Sequence, residues 1–444
     1  MTVSGGSVPL RPGQRGPLTD LVVLDCSMVW AGPYATKLLG DLGATIIKVE
    51  ANRQLDSVRG PAIPPSSSSA IGLYANNDPG KDPWNRNGYF NKYNRNKLGV
   101  CMNILMPEGR AVFMELAAIA DVVVENFGGG VFERMGFGYD VIRGVNEDLI
   151  FVSMPPSGNG GPEAKYVGYG VAIEQLGGIV ARTGYRGDDT PMKTGINYGD
   201  PIAGIHTAGY IMTALMHRRK TGRGQYIDLS QREATINWTA ESVLGYQMAG
   251  QDPTWIGNRD DYMAPSGVYR CTGEDSWIAL AVGSDAEWRG LCTAIARENL
   301  LTDYPTYERR AQHHDAIDAA IGAWTAQRAA ADAMAIFQQH GVAAGICSDN
   351  RQVVHDPHLE ARGFWPEVRH STAGSHILAG EAWQYSRTQA AIYAAAPALG
   401  EHTDYVLREI LGKSDEEIAK LHEAGVLENT PEAILQQRAQ SGTA

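Results

Sequence analysis

One carboxylate, Asp200, stands between a glycine and a proline in Gly199-Asp200-Pro201-Ile202-Ala203-Gly204, and Thr221-Gly222-Arg223-Gly224-Gln225 follows in the next stretch of chain. A carboxylate so placed is surrounded by backbone more than by side chains. The glycine lets another chain or a reacting group come close, and the proline fixes the exit. It is at Asp200 that the chemistry of this chain is expected. Taken alone, the same string is also an ordinary turn. His206, six residues on, reads first as a helix-packing residue and second as one that orients Asp200.

The 444 residues are enough for two or three domains with substantial cores. A net charge of -12 excludes nucleic acid as the main partner, because a phosphate backbone needs a basic face. Five scattered cysteines, with no C-x-x-C pair, read as reduced packing residues and offer no zinc spacing. Apolar runs such as Val122-Val123-Val124 are far too short for a membrane span, and Met1-Thr2-Val3-Ser4-Gly5-Gly6 has no signal-peptide pattern, so the expected location is cytoplasmic.

Around the candidate carboxylate, strand and helix patterns alternate. Leu21-Val22-Val23-Leu24-Asp25 reads as a buried strand, 34–42 as a helix and Thr45-Ile46-Ile47-Lys48-Val49-Glu50 as a second strand, which makes a βαβ unit of Rossmann type. G-x-G-x-x-G is missing after the first strand, which weakens a dinucleotide reading. Residues 52–90, with the serine run 66–69, read as a long irregular excursion of the kind that is functional or mobile. Strands at 99–104, 121–125 and 149–153 and helices at 107–120 and 205–217 continue the alternation, so the expected fold is α/β with a doubly wound parallel sheet. A strand at 226–230, a helix over 233–248 and a mixed pattern from 262 onward predict a smaller inserted α+β domain at 230–339. The large domain then comprises 1–229 and 340–444, with 341–346 as the strand that returns to it.

These motifs together resemble the class III CoA-transferases, a group that includes formyl-CoA, carnitine and bile-acid CoA-transferases and the related α-methylacyl-CoA racemases. The resemblance is carried by Ala31-Gly32-Pro33-Tyr34-Ala35-Thr36, Asp41-Leu42-Gly43-Ala44, Ile47-Lys48-Val49-Glu50, Asn96-Lys97 and Pro107-Glu108-Gly109-Arg110. It continues through Val124-Glu125-Asn126-Phe127, Glu133-Arg134-Met135-Gly136, Gly161-Pro162, the Asp200 segment and Gly400-Glu401-His402-Thr403-Asp404, in order over nearly the whole chain. It implies a Rossmann-like large domain built from both chain ends, a small inserted domain, and two ring-shaped subunits interlocked like links. A homodimer is expected, and a heteromer with a related subunit is the alternative. Asp200 matches the catalytic carboxylate, while Val29, Trp30 and Ala31 match the loop beside the pantetheine and the reacting centre. Asn126 and Phe127 match positions lining the CoA site, and Arg134 a basic residue near its phosphates; Glu125 reads as structural. Coenzyme A and its acyl thioesters are implied as substrates, with no metal or permanently bound cofactor.

Departures from the family pattern narrow the expectation. The racemases commonly carry a carboxylate, half of a proton-transfer pair, in the segment that here reads Gly168-Tyr169-Gly170. Gly170 cannot move a proton, so transfer is expected over racemisation. Formyl-CoA transferase has Gln where this chain has Trp30, and its glycine-rich lid has no counterpart in 257–267, so a medium or bulky acid is expected in place of oxalate or formate. Ala51 and Leu105 stand where basic residues are frequent, leaving Arg53 or Arg59 to replace part of the grip on the CoA phosphates. The rival readings are an acyl-CoA isomerase or racemase and a CoA-binding subunit of a heteromeric transferase.

Overall fold

The computed structural model describes residues 8–64, 73–250 and 254–441. The serine run 66–69 and the N-terminal residues 1–6 lie outside the described residues. Six strands, β1 (Val22–Asp25), β2 (Thr45–Glu50), β3 (Lys97–Cys101), β4 (Val122–Glu125), β5 (Ile150–Ser153) and β6 (Gln225–Asp228), form one parallel sheet in the order β3-β2-β1-β4-β5-β6. That is the Rossmann strand order, in which the direction of winding reverses between β1 and β4. Both faces are covered, which is why β1 and β4 are unbroken buried runs with no inside-outside alternation.

On one face, Val23, Ile46, Val124 and Val152 pack against Leu39 of the Ala31–Asp41 helix and Ile211 and Leu215 of the Gly199–Thr221 helix. On the other, Leu24, Ile47, Val100 and Phe151 join Phe113 and Leu116 of the Pro107–Ile119 helix, and Val406, Leu407, Ile418 and Leu427 from the C-terminal segment complete that layer. Both ends of the chain therefore contribute to the core of the sheet.

By compactness the chain divides into one unit of Met1–Ile179, Ile196–Glu241 and Gly363–Ala444 and another of Val180–Gly195 and Ser242–Arg362. The second has its own antiparallel sheet, β7 (Ser266–Arg270), β8 (Trp277–Ala281) and β9 (Ala343–Ile346), in that order, packed by Trp288, Leu291, Ile317 and Phe337. The segment expected to return to the large sheet is thus the third strand of the small one: Ile346 lies opposite Ile278, and Ala343 opposite Ala281.

Two helices differ from their expected form. The Gly199–Thr221 helix starts at Gly199, not at 205, with Pro201 in its first turn, where a missing N–H costs nothing. Arg218, Arg219 and Lys220 complement its carbonyl end, and Gly222 closes it at φ 71°. The helix expected over 233–248 is two, Gln231–Ile236 and Ala240–Ala249, because polar side chains between them take backbone partners: Asn237 Nδ2 donates to Glu233 O (3.0 Å) and Thr239 Oγ1 to Gly177 O (2.9 Å).

The described part of the 52–90 excursion is fastened to the sheet by a buried guanidinium. Arg59 pairs bidentately with Glu50 at the end of β2, both contacts 2.7 Å, donates to Trp84 O (3.2 Å) and Asn85 Oδ1 (3.1 Å), and lies 3.5 Å over the Phe90 ring. Four cysteines are buried as expected, but Cys347 is exposed and is no packing residue.

Candidate active site

Ligand sites in open parallel sheets lie beyond the carboxyl ends of the strands where winding reverses. Here those ends are the loop after β1, which carries Val29, Trp30 and Ala31, and the loop after β4, which carries Asn126 and Phe127. The first loop rests on a buried polar network. Asp25, at the end of β1, pairs with Lys97 Nζ of β3 (2.7 Å) and accepts from Ser27 N (3.0 Å) and Thr36 Oγ1 (2.8 Å), while Lys48 Nζ of β2 donates to Ser27 O (2.8 Å). Burial alone would push the Asp25 carboxyl up, but Lys97 and Lys48 outweigh it and hold it far below the usual carboxylate range.

The second loop clasps the first. Met28 N donates to Asn126 Oδ1 (2.7 Å), and Asn126 Nδ2 returns a bond to Met28 O (2.8 Å). Val29 N donates to Asp56 Oδ1 (2.9 Å), and Val29 is held at φ 68°. A β-branched residue in the left-handed region costs about 1–3 kcal/mol and persists only where its surroundings over-determine it. The strain therefore sits two residues before Ala31, whose backbone N–H favours the charged form of Asp200.

Asp200 occupies the first turn of the 23-residue helix, 7 % exposed, in a cavity of about 220 Å³ lined by Met28, Val29, Asn126, Phe127 and Tyr169 among others. The backbone N–H groups of Ala31 and of Asp200 itself favour its charged form. Burial, and then the charge of Glu174, outweigh them and lift its pKa from 3.8 to about 6. Glu174 lies in the helix Gly170–Leu176 with no exposure; one oxygen accepts Tyr198 N–H, and the other has no partner among the described residues. Gly170 opens that helix directly against Asp200: a Cβ there would lie 2.0 Å from Asp200 Oδ2 and 2.7 Å from Asn197 Cβ. A carboxylate at 170 has no room.

Val29, Asn126, Phe127 and Asp200 thus line one cavity, and the Ala31 N–H favours the charged form of Asp200. Trp30 instead faces a neighbouring cavity, stacked on Tyr93 at 5.1 Å. Arg134 lines a third, of about 560 Å³, with Glu125, Glu133 and Tyr139, and its Nη1 reaches Gly129 O at 3.4 Å. Glu125 accepts Phe127 N–H (2.8 Å) and Ser153 O–H, which ties the loop after β4 to β5; burial lifts its pKa to about 7. His206 bonds to its own helix, Nδ1 to Ile202 O (3.0 Å), and does not line the Asp200 cavity. Arg59, buried and paired with Glu50, is withdrawn from any phosphate, which corrects one of the two expected replacements; Arg53 is exposed. Glu174 and Tyr93 were missed by the sequence reading because no motif or spacing marks them.

A buried carboxylate with raised basicity, held at a helix N-terminus beside a strained loop, can attack an activated carbonyl and be displaced in turn. The sheet order and this site define a Rossmann-type α/β enzyme. The profile of CoA-transferase family III matches residues 18–403. The chain is 29% identical over 419 residues to succinyl-CoA–D-citramalate CoA-transferase of Chloroflexus aurantiacus, covering 93% of this chain and 98% of that one. It is 30% identical over 433 residues to formyl-CoA:oxalate CoA-transferase of Rhodopseudomonas palustris, covering 93% and 97%. A crystal structure of a CAIB/BAIF family protein from Brucella suis superposes with a TM-score of 0.79 at 28% identity, over 89% of this chain and all of that one. The chain belongs to CoA-transferase family III and is a CoA-transferase.

Proposed function

We propose that this enzyme moves CoA from an acyl-CoA donor such as succinyl-CoA to a medium or bulky carboxylic acid, with Asp200 as the nucleophile. The observation that carries this reading is the burial of Asp200 in the cavity closed by Val29, Asn126 and Phe127, with its pKa raised to about 6. An Asp200 oxygen attacks the thioester carbonyl, the C–S bond breaks, and CoA leaves as thiolate from a mixed anhydride. The thiolate attacks the aspartyl carbonyl, the anhydride C–O bond breaks, and the donor acid departs as carboxylate. The acceptor carboxylate then runs the two steps in reverse order on the aspartyl-CoA thioester. No net proton or electron moves. The Ala31 N–H and the helix N-terminus favour negative charge at Asp200, and its burial limits the water that reaches the anhydride. Val29, Trp30, Ala31, Asn126, Phe127 and Arg134 are proposed to border the CoA path, and the subunits to pair as interlocked rings.

The test is to incubate the protein with succinyl-CoA and a panel of acids and to identify the new CoA esters by mass spectrometry. An ester of at least one medium-sized acid, with equimolar free succinate, is expected. Solvent deuterium entering the α-position of an acyl-CoA without any acceptor acid would contradict transfer and favour racemisation, a reaction whose usual carboxylate position is Gly170 here, where a side chain has no room.

A further inference from the structure

Gln231, buried at 4 % exposure, lines the same cavity of about 220 Å³ as Asp200. It opens the helix Gln231–Ile236 after β6, where the Ser230 side chain caps the helix by accepting Glu233 N–H (3.2 Å). Two bonds to the segment after β5 hold it in place: its backbone N–H donates to Pro155 O (3.3 Å) and its Nε2 to Met154 O (2.7 Å). A carbonyl oxygen can only accept, so the bond to Met154 O fixes which end of the amide is the nitrogen. The other end, Oε1, is buried and has no hydrogen-bond partner among the described residues.

Of the buried side-chain atoms without such a partner, Gln231 Oε1 is the one carried by a residue of the Asp200 cavity. Asn126 lines the same cavity, but both ends of its amide are spent on Met28, at 2.7 and 2.8 Å. Gln54, Ser57 and Tyr169, also in the lining, are exposed to water. An amide oxygen only accepts, and burying one unpaired is unfavourable, so the group that suits it is a donor. A thioester and a carboxylate carry none. In a small cavity that also holds the nucleophile, the donor must lie close to the reacting carbonyl, and every acyl-CoA has one there: the amide N–H of the cysteamine unit, two carbons from the thioester sulfur. That N–H is common to the donor, the aspartyl-CoA thioester and the product, whereas a hydroxyl would be particular to one acid.

We propose that Gln231 Oε1 accepts the cysteamine N–H of the bound acyl-CoA and so fixes the thioester carbonyl in front of Asp200. The link between that amide and the sulfur has few rotatable bonds, so holding one orients the other. The inference rests on the Asp200 transferase reading and deepens it by adding a substrate-positioning residue to the same cavity.

The test compares succinyl-CoA with an otherwise identical analogue in which an ester oxygen replaces the cysteamine N–H. Succinate release in the first half-reaction, which needs no acceptor acid, is followed in the full-length enzyme by rapid quench, with the reactivity of each thioester toward hydroxylamine in free solution as the reference. The oxygen leaves Oε1 unpaired and facing a second acceptor, so the wild-type enzyme should use the analogue about 10-fold or more slowly at subsaturating concentration. Gln231→Leu, which cannot accept, and Gln231→Met, which accepts only weakly, should each bring the two thioesters to within about twofold of one another. Thermal midpoints check that the variants fold. Equal use of the two thioesters by the wild-type enzyme overturns the proposal without any variant. A preference that persists in folded Gln231→Leu assigns the N–H to another acceptor and overturns it as well, and both results leave transfer intact. Failure of the enzyme to release succinate from succinyl-CoA or to move CoA to any acid removes the transferase reading itself, and this proposal with it.

Discussion

Replacing Glu174 by Gln removes a buried negative charge next to the candidate nucleophile while leaving its surroundings filled. The amide oxygen can still accept Tyr198 N–H, and its NH2 stands where the carboxylate oxygen has no partner among the described residues. Asp200 titrates at about 6 instead of 3.8, a difference of about two units, or roughly 3 kcal/mol in favour of the neutral form. Burial is the larger cause and persists in the variant; Glu174 is the second, so its loss should lower the Asp200 pKa by on the order of one unit, about 1.4 kcal/mol. Only ionised Asp200 attacks, so kcat/KM for the donor should fall as pH drops through its pKa. The acidic limb of Glu174→Gln should then lie about one unit lower than that of the wild type. At pH 5 roughly one-tenth of wild-type Asp200 is ionised and roughly half of it in the variant, which predicts about a fivefold gain relative to each enzyme's own plateau. The plateau itself should fall, because a less basic carboxylate is a weaker nucleophile. CoA-ester formation followed by chromatography from about pH 4.5 to 8 reads both effects. Superimposable acidic limbs, or a variant limb at higher pH, would refute the coupling of Glu174 to Asp200.

Gly170→Ala places a Cβ 2.0 Å from Asp200 Oδ2; displacing the carboxylate should cost about 100-fold or more in exchange with CoA affinity retained, and wild-type rates would mean that Asp200 is not held as described. Trp30→Gln removes the ring stacked on Tyr93 and should weaken use of bulky acids by roughly ten- to a hundredfold; equal effects on large and small acids would make Trp30 a packing residue of the loop. Arg59→Met leaves Glu50 buried without its guanidinium and should destabilise the fold by about 3–5 kcal/mol, seen as a lower denaturant midpoint; a fully stable variant with weakened CoA binding would restore Arg59 to the phosphate grip.

The sheet was legible where burial is a local property. β1, β2, β4 and β5 are branched apolar runs, and each was read to within a residue or so because a strand covered on both faces needs no alternation. β3 begins earlier than expected, at Lys97, since a lysine reads as exposed until its partner Asp25, 72 residues earlier, is known. Asp200 stood out by its neighbours, but Gly-Asp-Pro looks like a turn, and only the structure turns it into the first turn of a helix with a charge at its positive end. Glu174, Tyr93 and Gln231 left no trace in the sequence: what distinguishes them is the burial of a polar atom without a described partner, a product of tertiary packing. The 341–346 strand was read correctly as a strand and assigned to the wrong sheet, because strand patterns carry no label for their partner.

The central claim is that Asp200 carries the acyl and CoA intermediates, and peptide mass spectrometry of the enzyme trapped with its donor acyl-CoA tests it most directly. After incubation with donor and then hydroxylamine, the peptide containing Asp200 should bear a hydroxamate at that residue. Asp200→Ala should show neither the modification nor CoA exchange while still binding CoA. Modification of a different carboxylate, or an unmodified Asp200 peptide in an enzyme that hydroxylamine inactivates, would contradict the account, as would an Asp200→Ala variant that exchanges CoA at the wild-type rate.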